Sequence, residues 1–274
     1  MPQPKLSIIT INLNNRDGLR RTAESVISQT FRDLEWIVID GGSTDGSREL
    51  IEQYSDHITY WVSEPDHGIY NAMNKGIKVA KGEYLQFLNS GDYLREPSTL
   101  NKVFSTSPIG DILYGDCAVK LPDDEMQEIH YGDTFTFKTL IDGSINHQST
   151  FIRRGILENN PYDETLKIVS DRKFFIQQAL ARKKFVHIPL TIAVIDTNGI
   201  SSTNDELLQL EDDRITAEEV PECILEMNNT IEQMKETLEA WQVKKTRELS
   251  GKRPLFHKMI TANIKIMQFI DKIL

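Results

Sequence analysis

The sequence predicts an α/β protein, a mostly parallel sheet flanked by helices, with a helical appendage at its C-terminal end. Three observations point there. From Lys5 to Leu88 short β-rich apolar runs alternate with segments of helical period, the pattern of a parallel sheet covered by helices. Each of the first four apolar runs ends in a polar group, and in an open α/β sheet those ends line the crevice where ligands bind. After Asp205 the composition shifts to acidic helical sequence and then to a basic stretch containing Lys244, Lys245, Arg247, Lys252, Arg253 and Lys258.

The strands read as Leu6 to Leu13, Leu34 to Ile39, Ile58 to Val62 and Tyr84 to Leu88. Between them, Gly18 to Gln29 sets Leu19, Ala23, Val26 and Ile27 on one helical face; Asp45 to Tyr54 follows a Ser43 or Thr44 cap; and Ile69 to Ala80 forms a third helix. Connections this short force parallel neighbours with right-handed crossovers. Farther on, Asp111 to Val119 is a strand, Leu121 to Tyr131 an acidic hairpin or loop, Asp171 to Arg182 a helix and Ile188 to Ile195 a strand. The expected division is one domain over residues 1–204, with halves at 1–95 and 96–204, followed by the appendage over 205–274.

With 274 residues, 39% hydrophobic and 26% charged, the chain can bury a substantial core. A net charge of −10 excludes broad affinity for nucleic acid, which needs a basic footprint. The start of the chain has no basic region followed by a long apolar stretch, and no window approaches the roughly 20 apolar residues of a bilayer span, so the expected location is cytoplasmic. Cys117 and Cys223 are too far apart, and too few, for a disulfide framework or a zinc site.

The polar strand ends are Asn12 and Asn14, then Asp40, then Glu64 and Asp66, then Asn89 and Asp92. Ordinary turns do not require an acid after so many strands. The glycines of IDGGSTDGS do not form G-x-G-x-x-G, and no G-x-x-x-x-G-K-[ST] occurs, which disfavours a dinucleotide dehydrogenase and a P-loop enzyme. A carboxylate such as Asp40 repels a pyrophosphate but accepts from a base N–H or from ribose hydroxyls. The pocket is therefore expected to take a nucleoside at Asp40 and its phosphates nearer Asp92.

LSIITINLNNRDGLRRTAESVISQTFRDLEWIVIDGGSTDGS together with SEPDHGIYNAMNKGIKVAKGEYLQFLNSGDYL resembles the nucleotide-sugar-binding half of a family 2 glycosyltransferase with the GT-A fold, and the resemblance runs from about Lys5 to Ser201. It implies transfer of a sugar, of the hexosyltransferase type, from a nucleotide diphosphate donor, with inversion at the anomeric carbon. Carried over by position, Ile11, Asn12 and Asn14 match the first nucleotide-contacting loop, Asp40 the aspartate that reads the base, usually uracil, and Asp66 an acid near base and ribose. Lys75 matches a position that is often basic. The family's Asp-x-Asp element, which holds Mg²⁺ or Mn²⁺ against the donor diphosphate, reads Asn89-Ser90-Gly91 here with Asp92 after it. Asp92 is thus the implied metal ligand of a thinned site, with substrate phosphates and water completing an octahedron.

In the second half, Ser170-Asp171 stands where the family places an acid at a helix start, which makes Asp171 the implied base. INHQSTFIRR matches a segment flanking the active site, with His147 toward the diphosphate or acceptor, and DTNGIS, Asp196 to Ser201, resembles a loop that closes over the donor. Asp111 and Asp116 are acceptor-side candidates. The implied partners are a nucleotide-sugar donor, most simply a UDP-sugar, and a saccharide or lipid-linked acceptor of surface polysaccharide or glycoconjugate synthesis. Lys252 to Leu274 reads as an amphipathic basic segment suited to peripheral membrane contact, or to packing on the catalytic domain or a second subunit. A non-catalytic sugar-nucleotide binder and a nucleotidyltransferase are the competing readings.

Overall fold

The computed structural model describes residues 3–121, 125–132, 134–141, 143–196 and 204–250. Its sheet is built around β1 (Leu6–Asn12), whose seven residues are all buried. Apolar and small hydroxyl side chains throughout LSIITIN suit a strand covered on both faces. β2 (Leu34–Asp40) and β4 (Tyr84–Phe87) flank β1 in parallel, and β3 (Tyr60–Ser63) extends β2 in parallel. The register sets Asn12 opposite Asp40 and Asp40 opposite Ser63, so three polar side chains share one end of the sheet. Leu13, expected inside the first strand, lies beyond its end and is 57% exposed.

Three helices cover this half: α1 (Arg16–Ile27), α2 (Ser47–Gln53) and α3 (Ile69–Val79). Asn15 caps α1 by accepting from Gly18 N, and Leu19, Thr22, Ala23 and Val26 form its buried stripe at helical spacing. The turn between α3 and β4 passes so close to β1 that a Cβ on Gly82 would lie 2.4 Å from the Ser7 backbone nitrogen and 2.7 Å from the Leu6 carbonyl carbon. Backbone cannot yield as a flexible side chain does. Gly82→Ala is expected to cost about 1–3 kcal/mol, read as a fall of the thermal midpoint, and an unchanged midpoint would show that the turn can move off β1.

The second half contributes β5 (Tyr93–Leu94), α4 (Thr99–Ser105), β6 (Ile112–Lys120), β7 (Met126–Ile129), α5 (Phe137–Ile141), β8 (Thr150–Arg153), α6 (Arg154–Asn159), α7 (Ser170–Leu180) and β9 (Phe185–Ile195). The strand order is β3-β2-β1-β4-β8-β6-β9-β5, with β7 on β6. β8 is antiparallel to both β4 and β6, and its insertion joins the parallel half to the rest. Phe151 and Ile152 at its centre are fully buried. Four residues are too few to display an alternation, which is why β8 is not visible in the sequence as a strand. The acidic hairpin expected over Leu121 to Tyr131 is the antiparallel β6–β7 pair.

Two compact units divide the chain, Met1–Glu219 and Val220–Leu274. α8 (Asp205–Glu219) therefore belongs to the first unit, although the sequence suggested a boundary at residue 204. Its buried residues Glu211 and Ile215 explain the difference, since burial needs the neighbours that the first unit supplies. In the second unit α9 (Glu222–Ser250) presents Met227 and Met234 to solvent. No helix among the described residues is long and apolar enough to cross a membrane. The expected basic segment from Lys252 to Leu274, and residues 197–201 of the expected closing loop, lie outside the described residues.

Candidate functional site

At the shared end of β1, β2 and β3, Asp40 is fully buried. Its Oδ1 accepts from Asn12 Nδ2 at 2.7 Å and from the Ser43 hydroxyl at 2.5 Å, and its Oδ2 accepts from Ser43 N at 3.0 Å and the Ser63 hydroxyl at 2.6 Å. Burial works against its charge, but the bonds from Ser43, Ser63 and Asn12 prevail and hold the carboxyl below its usual range. A carboxylate offers about four acceptor positions, and all four are taken here. Asp40 thus shapes the 41–46 loop, and the neighbouring atom turned away from this network is Asn12 Oδ1, buried and without a hydrogen-bond partner. Asn14, in a left-handed conformation at φ 48°, ties the two loops together. Its N–H donates to Ser43 Oγ at 2.7 Å and its Oδ1 accepts from Thr44 N at 2.9 Å.

Asp66 stands across the 41–46 loop, with Oδ1 accepting from Gly68 N at 3.0 Å. A Cβ on Gly41 would lie 2.6 Å from Asp66 Oδ2, so the Asp66 carboxylate lies directly against the 41–46 loop. Lys75 reaches the same segment, where it pairs with Glu64 at 2.8 Å and donates to Pro65 O at 3.2 Å. Ile11 acts through its backbone: its carbonyl accepts from Ser90 N at 3.0 Å, while Ser90 O accepts from Asn15 Nδ2 at 2.9 Å.

A second cluster forms where β4 ends. Asn89 Nδ2 lies 3.2 Å from His147 Nε2, and His147 Nδ1 lies 2.8 Å from Asp171 Oδ2. His147 opens a 3-10 turn, His147–Ser149, that Gln86 of β4 holds by donating from Nε2 to Gln148 O at 2.7 Å. Asp171 sits in the first turn of α7, where its Oδ1 accepts from Arg172 N at 3.0 Å and lies 3.1 Å from the Tyr70 hydroxyl. Burial opposes both charges, yet each is favoured by the other: Asp171 is held low chiefly by His147, and His147 is raised by Asp171 and, more weakly, by Asp92. Each partner thus favours the charged form of the other, beside Asn89. Asn89 Oδ1 is buried without a partner, and turning the amide over would offer it to a protonated His147.

Asp92 does not fit the implied metal site. It is 5% exposed, and each oxygen already accepts one protein donor: Oδ1 accepts from Asp196 N at 2.9 Å and Oδ2 from Gln148 Nε2 at 3.1 Å. No cluster of three or more His, Cys, Asp or Glu side chains able to hold a metal occurs among the described residues. Asp92 instead holds the backbone of Asp196, whose side chain pairs with Arg21 at 2.5 Å. Burial pushes the Asp92 carboxyl up to about 6, with the bonds from Asp196 and Gln148 only partly offsetting it. A raised carboxyl stabilises the fold below its ordinary value of 3.8 and loses that contribution as pH rises through about 6. Asp92→Asn, with the Gln148 amide turned over, is therefore expected to raise stability by up to about 3 kcal/mol at pH 8. The gain vanishes near pH 4; calorimetric scans across that range that show a loss throughout would contradict this.

The expected residues thus gather into two groups. Asn12, Asn14, Asp40 and Asp66, with Lys75, gather beyond the ends of β1, β2 and β3, and Asn89, His147 and Asp171 gather beyond the end of β4. Ser43 and Ser63 were missed, although Ser63 ends a strand as Asn12 and Asp40 do. Tyr70 and Gln148 carried no signal of their own. Of the acceptor-side candidates, Asp111 accepts from Lys184 N at 2.8 Å, and Asp116 holds His130 at 2.8 Å and His187 at 3.0 Å.

The family whose description matches is Glycosyl transferase family 2, over residues 7–106. An uncharacterized glycosyltransferase of Mycobacterium tuberculosis is 32% identical over 207 residues, which span 73% of this chain and 78% of the relative. A PGL/p-HBAD biosynthesis glycosyltransferase of Mycobacterium bovis is 29% identical over 215 residues, 74% of this chain and 81% of the relative. Among solved structures, S. aureus TarS 1-349 in complex with UDP-GlcNAc superposes with a TM-score of 0.62 at 19% identity, covering 78% of this chain and 71% of that one. The mannosyltransferase PcManGT from Pyrobaculum calidifontis in complex with GDP-Man and Mn²⁺ gives 0.55 at 18% identity, covering 70% and 57%. At these identities the structural likeness speaks for the fold.

Proposed function

Because the chain belongs to glycosyl transferase family 2 and is a glycosyltransferase of the GT-A fold, we propose that it moves a sugar from a UDP-sugar to a saccharide or lipid-linked acceptor. Configuration inverts at the anomeric carbon, and the product belongs to a surface polysaccharide or glycoconjugate. The observation that carries this reading is the Asp171–His147 pair, 2.8 Å apart, at the end of the strand next to the one that ends in Asn12. A module that only binds a nucleotide needs no such pair.

Residues 1–95 form the donor half and 96–204 the acceptor half. The nucleoside lies against Asn12, Asn14 and Asp66 over the loop that Asp40 shapes, and Asn12 Oδ1 offers it a buried acceptor. Lys75 keeps the Glu64–Asp66 segment in place, as Ile11 does for Ser90. The acceptor oxygen attacks the anomeric carbon, Asp171 takes its proton, and the nucleoside diphosphate leaves from the opposite face. The leaving group's charge is met by His147, by the uncapped N-terminus of α3 at Gly68, and by Lys167, whose Nζ lies 3.9 Å from the position of a Cβ on Gly68. The reaction so written draws nothing from a cation at Asp92.

The TarS and PcManGT complexes hold UDP-GlcNAc and GDP-Man, so the shared fold is one that takes nucleotide sugars, and the PGL/p-HBAD biosynthesis relative supports a glycoconjugate product. We place the reaction on the cytoplasmic side. The test is incubation of the full chain with UDP-, GDP- and dTDP-sugars and a glycolipid extract, with chromatography of the nucleotide and NMR of the new linkage. Release of UDP with inverted configuration is expected. Pyrophosphate release, retained configuration, or no release from any donor would overturn the reading.

A further inference from the structure

The Asp171–His147 pair depends on how the turn before α7 is held, and the group that holds it comes from outside both proposed halves. Glu211 of α8 is 7% exposed, and its carboxylate is bound by backbone. Lys167 N donates to Oε1 at 2.7 Å, while Ile168 N and Val169 N donate to Oε2 at 2.8 and 3.4 Å. These three N–H groups belong to consecutive residues immediately before Ser170, the first residue of α7. Val169, in the N-cap position, provides no side-chain cap, so the Glu211 carboxylate is the acceptor that fixes the approach to the helix.

The same turn touches the site directly. The Ile168 carbonyl accepts from the Tyr70 hydroxyl at 2.5 Å, and that hydroxyl lies 3.1 Å from Asp171 Oδ1. Ile168 O thereby fixes the Tyr70 hydroxyl beside Asp171 Oδ1, while His147 meets Oδ2. The rest of α8 secures the geometry: Asp212 pairs with Arg172 at 2.7 Å, Thr216 accepts from Arg172 at 3.1 Å, and Glu219 pairs with Lys173 at 3.4 Å. Arg172 in turn donates from Nε to Leu140 O and Gly143 O, close in sequence to His147.

We propose that Glu211 is a positioning residue of the transfer reaction, holding the Lys167–Val169 turn so that Asp171 meets His147 in register. The proposal rests on the reading of Asp171 and His147 as the proton-accepting pair. Loss of Glu211 as a mere structural strut would lower stability and leave the chemistry of the surviving folded molecules alone; loss of a positioning group uncouples the pair.

The experiment is an NMR titration of the His147 ring in the full chain, assigned by its disappearance in His147→Gln, for the native protein, Glu211→Gln and Asp171→Asn. UDP affinity by calorimetry and the thermal midpoint are followed alongside. The His147 pKa, raised above 6.5 in the native protein, is expected to fall toward that value in Glu211→Gln as it does in Asp171→Asn, with UDP affinity changed less than about twofold because the donor loops are untouched. Native-like His147 titration in folded Glu211→Gln overturns the proposal. If Asp171→Asn leaves His147 unmoved, the underlying pair fails instead, whatever Glu211→Gln does. Should Glu211→Gln not fold, Glu211→Asp carries the same test, since it keeps the charge but shortens the reach, and is expected to lower the His147 pKa in the same direction.

Discussion

Asp171→Asn lowers the rate of sugar transfer by about 10²–10⁴-fold, the usual worth of a positioned general base, while UDP binding stays near its native strength. The amide is isosteric, so α7 keeps its start and Arg172 N keeps an acceptor. What is lost is the charge that holds the proton and partners His147 at 2.8 Å. Stability moves with it in a defined window. A depressed aspartate contributes above its ordinary 3.8 and a raised histidine below its ordinary 6.5, so the pair's contribution is complete between those values. It declines as pH falls through the Asp171 value or rises through the His147 value. Thermal midpoints of native and variant protein converge at both extremes; a difference that does not change with pH at either end would contradict the ion pair.

Asp40→Asn is the second large effect, and it falls on binding. The carboxylate receives donors at all four positions, and an amide can accept at only two. The Ser43 and Ser63 hydroxyls and the Asn12 amide can turn round to meet the new NH2, but every bond of the network then loses its charged acceptor, which costs about 1–3 kcal/mol, and the anchor that Asn14 shares with the 41–46 loop through Ser43 is loosened. UDP affinity is expected to fall at least about tenfold, the equivalent of 1.4 kcal/mol, with KM for the donor rising more than turnover falls. Native affinity in a folded variant would mean that the nucleoside lies elsewhere.

These two predictions differ in how far the sequence anticipates them. Asn12 and Asp40 end apolar strands, and parallel strands in register bring such ends together, so the meeting of these polar ends is legible from spacing. That Asp40 is an organiser with every acceptor position filled is not legible, because Ser43 in a glycine-rich turn looks like any turn serine. Asp171 is marked by its place at a helix start and His147 by its motif, yet nothing in a separation of 24 residues says that they touch. The pairing follows from β8, a strand too short to announce itself.

Asp92 shows a different limit. A carboxylate at a strand end has the same appearance whether it faces a ligand or turns inward, and only the geometry of Asp196 and Gln148 distinguishes the two. In α8, Glu211, Ile215 and Glu219 stand at i, i+4 and i+8. Two acids where an apolar stripe would be expected hide a packed face, because those acids satisfy the turn before α7 and Lys173 of that helix.

The measurement that bears most directly on the central claim is calorimetric titration of UDP, GDP and dTDP into the native chain, Asp40→Asn and Asp171→Asn. The account predicts that UDP binds the native chain, binds Asp171→Asn almost as well, and binds Asp40→Asn at least about tenfold more weakly. Failure of every nucleotide to bind the native protein, or UDP binding that ignores Asp40→Asn in a folded variant, would contradict the assignment of the crevice to a nucleotide-sugar donor.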